Sequence, residues 1–195
     1  MAKRPKSKRR LKPVEKSDLA IAQAVALDKR KLASKAIGRF AELGDQPPMR
    51  IVCAATLAAG AAGGDRKLFR TGLRMLLAHS LATMGKALIK DVVDRTRPGT
   101  AIDSGKYELE RGKSSEHGMQ SMPSGHSAGV VAVAGAAMED YPDAVGPAAV
   151  GAVSIIAAQL PSRNHFLTDV AAGSAIGLAA VAISRQILPA VSADD

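Results

Sequence analysis

Three short polar clusters stand at the edges of apolar stretches, and each holds groups suited to phosphate chemistry. In KDVVDRTRP, Lys90 and Arg97 are seven positions apart, which on a helix returns them to nearly the same face. Two cations on one face can hold a phosphoryl dianion, the arginine through its planar fork and the lysine as a point charge. In SMPSGH, Ser124, Gly125 and His126 fall where an apolar helix should begin. Such an N-terminus presents unpaired N–H groups to an anion. Gly125 lets the backbone approach that anion, Ser124 can cap the helix or donate to a phosphate oxygen, and His126 can protonate a leaving oxygen. In SRNHFLTD, His165 and Asp169 are four apart, so on a helix the carboxylate can reach the imidazole. That contact would fix the tautomer and leave the other ring nitrogen free to attack.

Each cluster also has an ordinary explanation. Lys90 and Arg97 could be snorkelling cations at a helix end, and Ser124 a simple cap. His165 and Asp169 could be a structural pair, or two metal ligands lacking an obvious third. Whether the clusters act together depends on the elements that carry them. Five apolar stretches follow residue 48: Met49–Gly63, Thr71–Lys90, His126–Met138, Val145–Leu160 and Thr168–Leu188. A bilayer-spanning helix wants roughly 20 apolar residues, with a working range of about 17–25. The second and fifth stretches meet that length, the fourth is marginal, and the first and third are short. Small residues fill all five, as close helix packing in a membrane requires. A soluble all-helical protein with Ala-rich core helices is the alternative, and the absence of Trp removes the usual interfacial belt. If the last four stretches run antiparallel, the loop from Lys90 to His126 and the turn from Pro161 to His165 open on one side. Two cations, a helix N-terminus and two histidines then converge.

The rest of the chain bounds the reading. Its 195 residues suit one domain, and its formal charge of +9 suits an anionic partner. Residues 1–15 read as a disordered basic arm, limited by Pro5 and Pro13. Ser17 to Leu43 reads as one amphipathic helix lying along a surface, with Ser17 or Asp18 as its cap. Residues 44–190 form the membrane-embedded unit, and the loop from Asp91 to about Met122 is long, charged and without clear secondary structure. The single cysteine, Cys53, excludes an intrachain disulfide and sits in an apolar run as an inert small hydrophobe. No cleavable secretory signal is expected, because charges interrupt the first apolar stretch. Scarce aromatics give no stacking platform for nucleic acid, and an anionic lipid surface accounts for the basic arm.

With its motifs in view, the chain resembles the type 2 phosphatidic acid phosphatase superfamily, which includes membrane lipid phosphatases, soluble bacterial acid phosphatases and vanadium haloperoxidases. The pattern KxxxxxxRP matches Lys90 to Pro98, PSGH matches Pro123 to His126, and the end of SRxxxxxHxxxD matches His165 to Asp169. The likeness runs from about Gly44 to Leu188. It implies an all-α, multi-span helical bundle and a hydrolase that uses neither metal nor other cofactor and passes through a phosphohistidine. His165 would be the nucleophile, Asp169 its orienting partner and His126 the acid. Lys90, Arg97, Ser124 and the Gly125 amide would stabilise the phosphoryl oxygens. One departure stands out: the family's third-motif arginine falls at Gln159, while Ser162 and Arg163 stand just ahead of His165. Either the turn is shortened, or Arg163 makes the phosphate contact instead; Pro161 argues against a helix continuous from Gln159 to Arg163.

The expected substrate is a lipid phosphate or diphosphate: a polyprenyl phosphate or diphosphate, phosphatidate, or a phosphorylated glycolipid. The alternative is a non-catalytic membrane protein that binds phospholipid headgroups. The expected location is the cell membrane, with multiple crossings. Two crossings precede Lys90, so the site should share the cytoplasmic side with the basic arm, although Arg66, Lys67 and Arg70 pull the other way. A membrane-crossing Ser17–Leu43 helix would reverse that side.

Overall fold

The computed structural model describes residues 11–28 and 30–189. Most of the basic arm, residues 1–10, lies outside them. From Pro13 the chain is helical. Pro13 suits the first position of α1 (Pro13–Val25) because its missing N–H is one that no helix start can pair. The surface helix expected over Ser17–Leu43 is in fact two, α1 and α2 (Leu32–Ala41). The break follows from Ala26, which turns extended, and from Asp28, whose carboxylate accepts the Arg30 N–H at 3.0 Å and favours a turn. Asp18 is therefore not a cap but an inward-facing residue of α1, buried with Glu15 and Ala22.

The remaining helices are α3 (Gln46–Gly63), α4 (Arg66–Lys90), α5 (Pro98–Ser104), α6 (Gly125–Asp140), α7 (Val145–Ala158) and α8 (Leu167–Ile187). Gly64, left-handed at φ 65°, closes α3, and the Asp65 side chain caps α4 by accepting from the Leu68 N–H at 2.9 Å. The charged loop after α4 is folded. It contains strands β1 (Val93–Arg95) and β2 (Leu109–Arg111), paired antiparallel with Asp94 opposite Glu110. An all-α description therefore needs this small sheet added.

Helices α4, α6 and α8 pack through small residues: Ala78, Ala82, Ala128, Ala132, Ala136 and Ala180 are all buried. Gly173 shows how close the approach is. A Cβ there would stand 2.3 Å from the Ser124 carbonyl oxygen, so α8 meets the start of α6 in backbone contact. The core is apolar, yet the bundle also exposes large apolar residues and buries an ion pair. Large apolar residues such as Ile51, Leu88, Val150 and Leu178 are exposed, while Arg74 and Asp140 are buried. Arg74 bonds Asp140 at 2.8 Å and the Leu188 carbonyl at 2.9 Å, and Thr71 donates to Asp140 at 2.8 Å. This network ties α4, α6 and α8 at the end of the bundle away from the polar loop. Asp140→Asn leaves the Arg74 charge buried and uncompensated. It is expected to cost about 3–5 kcal/mol, read as a lowered thermal midpoint in detergent. Replacing both residues with apolar ones should cost much less.

Among the described residues one helix, α8, is long and apolar enough to cross a membrane, at 21 residues and a mean hydropathy of 1.6. The physical reasons are different for the others. Helix α4 has 25 residues but carries Arg66, Lys67, Arg70, Arg74, Lys86 and Lys90, while α6 and α7 have only 16 and 14.

Candidate active site

The three polar clusters meet at one end of the bundle. Helix α4 delivers Lys90 there, α6 begins there, and α7 returns the chain to His165 just ahead of α8. Lys90 and Arg97 arrive by a different route from the one their spacing suggested. They share no helix, because α4 ends at Lys90 and the chain turns into β1. Arg97 follows β1, with Pro98 as the first residue of α5, and its backbone N–H donates to the Gly118 carbonyl at 2.7 Å. Lys90 Nζ donates to the Gln120 carbonyl at 2.8 Å. The Arg97 side chain makes no hydrogen bond among the described residues, and its Nε is buried without a partner. Burial pulls its basicity down against Asp169, Glu42 and Asp45, yet a guanidinium stays charged.

His126 and His165 face each other edge to face, with ring centroids 5.8 Å apart. His165 is 1% exposed. Its Nδ1 lies 2.8 Å from the Ser121 carbonyl oxygen, and a carbonyl only accepts, so Nδ1 carries the hydrogen. Nε2 is then left with the lone pair. Burial, followed by Arg97, His126 and Lys90, holds this imidazole well below its ordinary basicity, so it is neutral near pH 7. The Nε2 of His126 is buried without a hydrogen bond, 3.6 Å from a Glu42 carboxylate oxygen.

Asp169 is not a direct partner of the His165 ring: its nearer oxygen is 4.0 Å from Nδ1. The reason is local. His165 precedes α8, Phe166 is the cap residue, and Asp169 in the first turn folds back to accept the Phe166 N–H at 2.9 Å. The same carboxylate accepts from Ser121 Oγ at 2.6 Å and from Arg95 at 2.5 Å. Asp169 thus reaches His165 through Ser121, the residue whose carbonyl holds Nδ1. Arg95 also bonds Asp18 of α1 at 2.7 Å and stacks on Phe166, 4.3 Å from its ring centre. Burial alone would weaken the Arg95 charge, but Asp169 and Asp18 more than offset it. Asp18 in turn takes the Thr168 hydroxyl and N–H.

Ser124 caps α6, accepting from Ser127 N at 3.2 Å and Ser127 Oγ at 2.9 Å, and neither bond uses its own hydroxyl hydrogen. Arg163 is drawn away to α5: left-handed at φ 63°, it bonds the Gly99 carbonyl at 3.1 Å and pairs with Asp103. Gln159 is fully buried and donates to the Ala41 carbonyl at 3.0 Å, because α7 has ended at Ala158 and the turn folds under α2. Arg95, Ser121, Asp18 and Glu42 were not among the candidates read from the sequence. Two of them carried a local signal: Arg95 lies two positions before Arg97 in the first cluster, and Ser121 opens the second.

The family model described as the PAP2 superfamily matches residues 71–192. The chain belongs to the PAP2 superfamily. The matched segment holds Lys90, Arg97, Ser124, Gly125, His126, His165 and Asp169, whereas Asp18 and Glu42 precede it. Among solved structures, this PAP2 chain is similar in fold to "Crystal structure of the first transmembrane PAP2 type phosphatidylglycerolphosphate phosphatase from Bacillus subtilis". The two share 21% sequence identity with a TM-score of 0.60, covering 89% of this chain and 85% of that one. No curated protein matches the sequence.

Proposed function

We propose that this PAP2 protein is an integral-membrane phosphatase that hydrolyses a lipid phosphate or diphosphate through a phosphohistidine. His165 Nε2 attacks phosphorus, the bond to the leaving oxygen breaks, and His126 gives that oxygen its proton. A water molecule, giving its proton to His126, then attacks the phosphohistidine; inorganic phosphate leaves and His165 is restored. Lys90, Arg97 and the Gly125 amide stabilise the phosphoryl oxygens, and preorganised donors of this kind contribute about 10²–10³ in rate each. The observation that carries the proposal is the pair of facing imidazoles, 5.8 Å apart, beside the unpaired Arg97 guanidinium. An Nδ1–H fixed on the Ser121 carbonyl leaves the attacking nitrogen free, which supports the nucleophile's role.

Membrane residence is supported by the exposed apolar residues on α3, α4, α7 and α8, and by the ion pair held inside. We read α3, α4, α6, α7 and α8 as the five crossings. Helix α1 packs against the site through Asp18, which supports placing the basic arm on the same, cytoplasmic side. An apolar groove of about 500 Å³ between α2 and α7, lined by Ala36, Ile37, Phe40 and Ala157, has the size and lining to take a hydrocarbon chain. The test is a phosphate-release panel across prenyl, glycerolipid and water-soluble phosphates, run with a chelator present. Release from one of the lipid classes is the expected result. No release from any ester, or activity abolished by the chelator, would remove this reading.

A further inference from the structure

A second lysine stands one turn before Lys90. Lys86 and Lys90 are four apart on α4, so both lie on the face that meets the start of α6. Gly125 reports where Lys86 ends. A Cβ built on that glycine would stand 2.9 Å from Lys86 Nζ and 3.1 Å from its Cδ. The ammonium therefore lies against the first residue of α6, beside amides that the helix leaves unpaired. Lys86 is half-buried, and among the described residues its Nζ has neither a hydrogen bond nor an ion pair. Asp45 attracts it without forming an ion pair.

Most other cations at this end are already committed. Lys90 donates to Gln120, Arg95 to Asp18 and Asp169, and Arg163 to Asp103 and Gly99. Gln159 is uncharged and held by Ala41. Arg97 and Lys86 remain, two partly buried cations without an ion-pair partner among the described residues: Lys86 lies against the first residue of α6, and Arg97 is close enough to act on His126 and His165. Keeping such charges out of water is costly unless an anion meets them.

We infer that Lys86 is a further phosphate-binding residue, supplying from α4 the positive charge that Gln159 and Arg163 do not provide. This rests on the phosphatase reading for its role in turnover, but phosphate binding can be read without turnover. The experiment uses the full chain in detergent with inorganic phosphate as the probe, measured by calorimetry and, where there is activity, as product inhibition. Lys86→Met is expected to weaken phosphate binding about tenfold, while Lys86→Arg stays within about threefold of the wild type. Lys86→Gln gives a second arm: it keeps a polar side chain of similar length without the charge, so phosphate binding should weaken as in Lys86→Met. Phosphate binding unchanged in Lys86→Met, or absent from the wild type, overturns the inference. If Lys86→Met does not fold, unchanged binding in Lys86→Gln overturns it. If no ester is hydrolysed but binding still depends on Lys86, the anion site stands and the phosphatase reading falls.

Discussion

Replacing His165 with alanine is expected to lower phosphate release by about 10⁴-fold or more, because the attacking nitrogen disappears and no neighbour can take its place. Phosphate binding should survive, since Lys90 Nζ is held by the Gln120 carbonyl and the Arg97 backbone by the Gly118 carbonyl, neither of them through His165. The measurement is steady-state phosphate release set beside phosphate affinity in the same variant. Loss of both would point to collapse of the site rather than loss of a nucleophile. His165 also makes a prediction about pH. Folded, it stays neutral well below its ordinary value of 6.5, whereas in the unfolded chain it takes a proton near that value. The unfolded state then binds more protons, so stability falls as pH drops from about 6.5. His165→Gln should lose less of its thermal midpoint than the wild type between about pH 7 and pH 5.

The second large effect is expected at Arg95. Its guanidinium is 2% exposed and pairs with both Asp18 and Asp169, themselves buried. Arg95→Met leaves two carboxylates without a cation and should cost about 3–5 kcal/mol of stability. It should also lower kcat by about 10²-fold. Asp169 holds the Ser121 hydroxyl, the Ser121 carbonyl holds His165 Nδ1, and small displacements of a reacting group are costly. Asp18→Asn should produce the same pattern more weakly, because Asp169 keeps its arginine. Thermal unfolding and kcat, measured on the same preparations, check both variants. A normal kcat in Arg95→Met would break the proposed link from Asp169 to the nucleophile.

The bundle's polarity was legible because apolar stretches and charged loops alternate, which brought the clusters around Lys90, His126 and His165 to one end. The routes between them were less legible. Lys90 and Arg97 fit a helical period, but Val92 and Val93 lead into a strand, and pairing with residues 109–111 decides the matter at long range. His165 and Asp169 also fit a helical period, yet capping at Phe166 outweighs a direct contact and brings in Ser121 instead. The local pattern offers Ser17 or Asp18 as a helix cap, because both types favour helix starts. The actual partner of Asp18, Arg95, lies 77 positions away, and local periodicity carries no record of it. In sequence Lys86 is one more charge on a long helix, and only packing between helices sets it beside Gly125 of α6.

The account turns on whether the phosphoryl group passes through His165. The most direct measurement is to mix the protein with a ³²P-labelled lipid phosphate, quench in alkaline detergent, and follow the label on the chain. The account predicts label that survives alkali, is lost in acid as a phosphoramidate should be, maps to His165 and is absent from His165→Ala. Label that is stable to acid, or that persists in His165→Ala, would contradict it.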